Sequence, residues 1–389
     1  MENVSWLSFS DSHHGAKSYE EMYREFYTEN GLIPTLNDLI PDPGFLGVFL
    51  TGDYYDKKLD LNDSKAKLAS QILLEILETC KLHGKYFIIL RGTYSHEFSQ
   101  LDNFSFLQNT YNKFFIINTA TVLNLKEVNM KILCLPEEYM NDQEAYYKKF
   151  LSPKNKYNLI LGHGLFKYNC FQENESERPM ANMPIFDENQ LMAISDIIIF
   201  GHVHTSIAYK NKLYYNGSYS RLCFGEEAPK GFWAFEYNTK TREHDAVFVE
   251  NTLAPTYKTF LLEKILKKTP VALESIVQLI EKYKATCDNL KIKISKEFSN
   301  ENYTIVESLK HYFYNKNNVV IDAGSFSLKT NKNVASEEDA LIRDLEYEFL
   351  YTNNNLNEKI LKFIEVKHKD TFEITMDDLN EALSESDGE

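Results

Sequence analysis

Ile197-Ile198-Ile199-Phe200-Gly201-His202-Val203-His204 is the stretch on which the reading of this chain turns. A short apolar run with the composition of a buried strand leads into a glycine and then two histidines spaced two apart. Residues two apart on an extended segment point the same way, so His202 and His204 can reach one common centre. Moving outward from this stretch, the same order of apolar run and then metal-ligating side chains recurs. Val4 to Phe9 precedes Asp11-Ser12-His13, and Gly47 to Leu50 precedes Gly52-Asp53-Tyr54-Tyr55-Asp56. Tyr86 to Leu90 precedes Ser95-His96-Glu97, and Leu159 to Leu161 precedes Gly162-His163-Gly164. Phe114 to Asn118, Lys131 to Leu135, Lys212 to Tyr215 and Phe232 to Tyr237 also read as strands, and Leu68, Ile72, Leu73, Ile76 and Leu77 have the spacing of one buried helix face. This alternation predicts a sheet-based α/β domain over residues 1–250. In open α/β sheets ligands bind outside the carboxyl ends of the strands, so clusters placed at five strand ends converge on one spot.

Mixed histidine and carboxylate ligands suit Mn²⁺, Fe²⁺ or Zn²⁺, whereas an all-oxygen shell suits Mg²⁺ or Ca²⁺ better. One carboxylate shared between two ions roughly 3.5–4 Å apart lets the pair hold both oxygens of an in-line phosphoryl displacement, and Asp53 is the candidate bridge. The glycines before Asp53, His163 and His202 permit tight turns and close backbone approach at the strand ends. Taken singly, Asp-x-His and His-x-His are weak signals, and Gly-Asp is also ordinary turn chemistry. The ordered set carries the reading.

The remaining sequence bounds the function. With 389 residues, 43% hydrophobic and 25% charged, the chain can build one large core and one or two smaller modules. Lys and Arg number 42 against 57 Asp and Glu, a net charge of −15, which is the wrong sign for gripping nucleic acid through a broad basic face. Bound divalent ions and a partner's phosphate contacts are compatible with DNA chemistry all the same. Cys80, Cys134, Cys170, Cys223 and Cys287 have no CxxC spacing, so neither a disulfide framework nor a structural zinc site is expected. No basic leader with an apolar stretch begins the chain, and no run approaches the ~18 apolar residues of a membrane span, so a cytoplasmic protein without membrane contact is expected. From Pro255 the texture becomes that of a second, small α/β module reaching to about residue 332. Two amphipathic segments follow within 338–370, with Leu341, Leu345 and Phe349 in one and Leu356, Ile360, Phe363 and Ile364 in the other, and residues 371–389 form an acidic tail.

The five clusters, in this order, resemble the calcineurin-like metallophosphoesterases, whose pattern runs D-x-H, G-D-x-x-D, G-N-H-D/E, H and G-H-x-H. The resemblance covers about residues 1–245 and implies a sheet sandwich flanked by helices. It implies that Asp11, His13, Asp53 and His204 hold one ion and that Asp53, His163 and His202 hold the other. His96 would contact the scissile phosphate and assist the leaving oxygen, while Asp56 and Glu97 would orient histidines. One departure stands out. Where the family has Gly-Asn-His, this chain has Gly92-Thr93-Tyr94-Ser95-His96-Glu97, so either Ser95 or Thr93 replaces the amide ligand.

A second signature, Asn216-Gly217-Ser218-Tyr219-Ser220-Arg221, Phe224-Gly225-Glu226-Glu227 and Pro229-Lys230-Gly231-Phe232, is similar to SbcD-type nuclease subunits of bacteria and phages. That likeness implies a capping domain at about 255–332 and helices at 338–370 that dock on the coiled coil of an SbcC-type ATPase. It implies Mn²⁺-dependent hydrolysis of DNA phosphodiesters at double-stranded ends, 3′-to-5′ exonuclease with endonuclease capability, with Mg²⁺ or Fe²⁺ as alternative ions. A homodimer through the helical stretch Tyr19 to Phe26 is expected, and the partner hydrolyses ATP, since the chain has no G-x-x-x-x-G-K-S/T. Lys167, Tyr168, Arg178 and Arg221 are candidates for touching DNA phosphate, with solvated surface as the alternative for each. His14, His83, His244, His311 and His368 fall outside the matched positions and are expected not to be ligands. The rival functions are a small-molecule phosphodiesterase or phosphomonoesterase, and a non-catalytic adaptor of the ATPase.

Overall fold

The computed structural model describes residues 2–60, 62–167, 182–266, 272–314, 316 and 318–324. The chain divides into two compact units, Met1–Phe326 and Ser327–Glu389. The second unit, with the segments expected at 338–370 and the acidic tail, lies outside the described residues, as do Tyr168, Cys170, Arg178 and His368.

Every strand expected from the sequence up to residue 250 falls on a strand, and with three further edge strands they build two six-stranded sheets. The first sheet runs, edge to edge, His244–Glu250, Gly231–Asn238, Asn3–Phe9, Phe45–Leu50, Tyr86–Leu90 and Phe114–Ile117. Its last four strands are parallel, and Gly231–Asn238 joins Asn3–Phe9 antiparallel. The second runs Ile207–Tyr209, Leu213–Tyr215, Ser195–Gly201, Tyr157–His163, Met130–Leu135 and Thr121–Leu125, parallel through its four central strands. Parallel strands need crossovers, and helices such as Ser64–Leu82 supply them. That helix starts at Asp63, whose carboxylate accepts the Lys65 amide, and buries Leu68, Ile72, Leu73, Ile76 and Leu77, the stripe its sequence spacing predicts.

Phe45–Leu50 and Tyr86–Leu90 are buried at every residue, the pattern of strands covered on both faces. One face meets the helices in a cluster that includes Leu7, Phe9, Val48, Leu50, Ile72 and Ile76. The other joins a cluster drawn from both sheets, with Trp6, Phe49, Ile88 and Leu90 from the first and Ile132, Leu159, Leu161, Ile197 and Ile199 from the second. The two sheets therefore share a core, and their parallel strands carry the sequence clusters at their carboxyl ends.

Three strands, Tyr257–Leu261, Asn289–Ile294 and Val319–Ala323, form a separate parallel sheet with its own apolar cluster. The strand Tyr257–Leu261 turns at Leu262 into a short helix, Leu262–Ile265, with Leu262 buried in that cluster. Among the described residues no helix is long and apolar enough to cross a membrane. Cys80, Cys134 and Cys287 are buried free thiols and Cys223 is an exposed one; burial pushes Cys80 up to about 12.

Candidate metal centre

Asp11 and His13 follow the strand Asn3–Phe9, and Asp53 follows Phe45–Leu50. Parallel pairing continues past the strand ends: the Asp11 amide donates to the Gly52 carbonyl (3.0 Å) and the His13 amide to the Asp53 carbonyl (3.1 Å). Asp11, His13, Asp53 and His202 all have positive φ, at 50°, 45°, 50° and 89°. Left-handed backbone at non-glycine residues is costly, and its concentration here marks a constrained site. Gly52 has φ 100°, and a Cβ on it would sit 2.2 Å from His163 Nδ1; one on Gly92 would sit 2.2 Å from Asp53 Oδ1. Only glycine lets the loops close this tightly.

Three overlapping groups place one ligand atom per residue within 4.8 Å of one another: Asp11, His13 and His204; His13, Asp53 and His96; and Asp53, His163 and His202. All these residues except His96 and the His202/His204 pair are buried outright. Individual separations are 3.1 Å for His13 Nε2 to His204 Nε2, 3.7 Å for His13 Nε2 to Asp53 Oδ2, 3.5 Å for His163 Nε2 to Asp53 Oδ2 and 4.0 Å for His204 Nε2 to Asp11 Oδ1. Atoms sharing one ion at about 2.1 Å lie roughly 3–4 Å apart, depending on the bond angle. The separations fit coordination.

The tautomers fit as well. His163 Nδ1 donates to the Thr51 carbonyl (2.6 Å), His204 Nδ1 to Glu226 Oε1 (2.5 Å) and His96 Nδ1 to the Asp56 carbonyl (2.6 Å), which leaves each Nε2 for the cluster. His13 Nδ1, His163 Nε2 and both nitrogens of His202 are buried with no hydrogen-bond partner. Such orphaned groups cost about 1–3 kcal/mol each, and a divalent cation is the partner that would satisfy several together. The donor set therefore suits two divalent ions, with Asp53 reaching both sets of histidines. Burial opposes charge on His163, but Asp53, Asp11 and Glu137 outweigh it and raise the imidazole to about 10. Burial likewise opposes charge on Asp53, where His163, His13 and His96 prevail and hold the carboxyl far below its usual range. Protons and ions compete for the same nitrogens, so ion binding weakens as pH falls.

Supporting residues differ in part from those expected. Asp56, expected to orient a histidine, has Oδ1 at 3.5 Å from His13 Nδ1. Glu97 touches backbone instead: Oε1 accepts the Tyr54 amide at 2.5 Å and so fixes the turn that presents Asp53, while burial and then the Asp53 charge raise Glu97 to about 8. Ser95 is exposed on the short helix Tyr94–Glu97, whereas Thr93 is buried, its amide donating to Asp53 Oδ1 (2.6 Å) and its hydroxyl to Glu137 Oε2 (3.2 Å). Arg221 is buried rather than solvated, with its guanidinium 3.8 Å from Glu250, while Lys167 is exposed. His14 is buried between Phe26 and Tyr54, and burial lowers it to about 3, which makes it a packing group.

No known protein-family model matches the chain, and no curated protein matches it.

Two residues of the centre were not marked as site residues by their sequence. Glu226, inside the Phe224-Gly225-Glu226-Glu227 signature, accepts from His204 Nδ1 and from the Leu222 amide (2.8 Å) and lies 3.4 Å from Lys230 Nζ. Burial opposes its charge, but His204 and Lys230 lower it to about 2. Lys230 is buried too, and donates to the His204 carbonyl (2.7 Å) and Ser218 Oγ (2.8 Å). The signature is thus a brace for His204. Glu226→Ala should weaken ion binding in the Asp11, His13 and His204 group about 10- to 100-fold with the fold intact, as measured by Mn²⁺ titration and thermal melting. The other residue is Glu137, two positions after the strand Met130–Leu135, where the adjacent acids Glu137 and Glu138 belong to no recognisable spacing.

Clustered and buried in this way, the histidines and aspartates form a candidate metal-dependent hydrolytic centre.

Proposed function

We propose that the chain is a Mn²⁺-dependent, two-metal phosphoesterase of the calcineurin-like type that hydrolyses DNA phosphodiesters, as the nuclease subunit beside an SbcC-type coiled-coil ATPase. The observation that carries the reading is the sharing of Asp53 between the His13 and His163/His202 groups, with His96 beside it. Two ions held there would supply Lewis acidity and water activation for in-line phosphoryl transfer. The chain's own residues do the rest. Asp53 positions both ion sites, and its fixed Oδ1 contact with the Thr93 amide leaves Oδ2 facing the histidines. His96, with Nδ1 committed to the Asp56 carbonyl, can hold or give a proton at the cluster only through Nε2, the position needed to protonate a departing sugar oxygen.

DNA as the substrate, 3′-to-5′ polarity with endonuclease capability, the ATPase partner and a homodimer come from the resemblance in the two sequence signatures. A small-molecule phosphodiester is the second reading, favoured by the net charge of −15, which leaves DNA contacts to a partner. The test is release of nucleotides from labelled linear duplex DNA with Mn²⁺, with and without EDTA, alone and with an SbcC-type ATPase and ATP. Release that EDTA abolishes supports the nuclease. Hydrolysis of bis-p-nitrophenyl phosphate without any action on DNA, partner present, overturns it in favour of the small-molecule enzyme.

A further inference from the structure

Glu137 is 1% exposed, and its environment is that of the centre. Its Oε2 lies 3.6 Å from His163 Nε2 and 3.4 Å from His202 Nδ1, two buried nitrogens that have no hydrogen-bond partner. Those separations lie beyond the roughly 2.7–3.2 Å usual for such hydrogen bonds and match two edges of a coordination shell with bonds near 2.1 Å. The Thr93 hydroxyl donates to the same oxygen and the Tyr139 hydroxyl to the other, so the carboxylate is held by neutral donors. Neither donor carries charge, so among the described residues the only groups near this buried carboxylate that could balance it are the two imidazoles, together with a metal ion if one is bound between them.

We infer that Glu137 is a direct ligand of the ion held by Asp53, His163 and His202, supplying the oxygen that the absent Gly-Asn-His amide would otherwise supply. The inference rests on the two-metal reading. Ser95 points to solvent from its helix, and Thr93, the other residue in that loop able to replace the amide, spends its hydroxyl on Glu137. The position is also right. Glu137 leaves the carboxyl end of Met130–Leu135, the strand next to Tyr157–His163, as the histidines leave theirs. A carboxylate in place of an amide adds one negative charge, so three carboxylates, Asp11, Asp53 and Glu137, would face two divalent ions. Tyr139 fixes the carboxylate as a hydrogen bond to a ligand oxygen does in metal sites.

The test is Mn²⁺ titration of the full chain after EDTA dialysis, with free Mn²⁺ followed by electron paramagnetic resonance, on the wild type, Glu137→Ala, Glu137→Gln and Ser95→Ala. Thermal melting reports whether each variant folds, and the near-isosteric Gln variant keeps the test alive if Ala does not. The wild type and Ser95→Ala should bind two ions. Glu137→Ala should keep one at wild-type affinity and bind the second about 100-fold or more weakly, and Glu137→Gln about tenfold more weakly, since its amide keeps an oxygen. Two ions at wild-type affinity in both Glu137 variants would overturn the inference alone. A wild type that binds no Mn²⁺ would remove the two-metal reading and this inference with it, so the two failures are told apart.

Discussion

Asp53→Asn is expected to abolish Mn²⁺-dependent phosphodiester hydrolysis, by about 10³-fold or more. Asp53 Oδ2 lies 3.7 Å from His13 Nε2 and 3.5 Å from His163 Nε2, so one oxygen faces both ion groups, and Asp53 belongs to two of the three. Asn keeps the shape and the contact with the Thr93 amide but removes the charge that both ions would share. The loss of several kcal/mol of transition-state stabilisation converts at about 1.4 kcal/mol per tenfold. Rates at saturating Mn²⁺ on labelled duplex, with Mn²⁺ binding measured in parallel, check it. A variant that binds both ions and cleaves at the wild-type rate would remove Asp53 from the centre.

His96→Ala should lower the rate on DNA about 10²- to 10⁴-fold, the range of a positioned general acid, while Mn²⁺ affinity stays within about threefold. The nitrogen tethered to the Asp56 carbonyl at 2.6 Å holds the ring in place, and the other reaches the cluster. The leaving group separates this role from a structural one. A sugar alkoxide needs a proton to depart and p-nitrophenolate does not, so the loss on bis-p-nitrophenyl phosphate should be at least about tenfold smaller. Equal losses on both substrates would assign His96 to binding or ion retention.

The central strands were legible because they are buried on both faces and read as unbroken apolar runs, as Phe45–Leu50 does and as Ile197 to Phe200 does within Ser195–Gly201. Three edge strands escaped. Thr121–Leu125, Ile207–Tyr209 and His244–Glu250 are mostly half-exposed or exposed, and their polar and apolar residues mix as in loops. The ligand clusters were legible because glycines and paired ligands recur after those central runs. Glu137 obeys the same strand-end rule after Lys131 to Leu135, yet the Glu137-Glu138 pair behind Pro136 has no spacing to distinguish either acid from a solvated Glu. The Ser95 and Thr93 alternatives could not be separated by sequence, because a four-residue helix, Tyr94–Glu97, turns one outward while the loop before it buries the other. Glu97 reads as a histidine partner from its place beside His96, but the turn swings it beneath the Asp53 loop instead.

Both outer ion groups draw their ligands from both sheets: Asp11 and His13 from the first meet His204 from the second, and Asp53 from the first meets His163 and His202 from the second. Each bound cation would then be a cross-brace between layers that also meet through apolar contact and through hydrogen bonds such as that from His163 Nδ1 to the Thr51 carbonyl. Reciprocity follows from linkage. Whatever loosens the shared core around Phe49, Leu161 and Ile199 slackens the grip on the ions, and loading with ions stiffens the seam between the sheets. Catalytic competence and the mechanical integrity of the molecule are, in this chain, two readings of one joint.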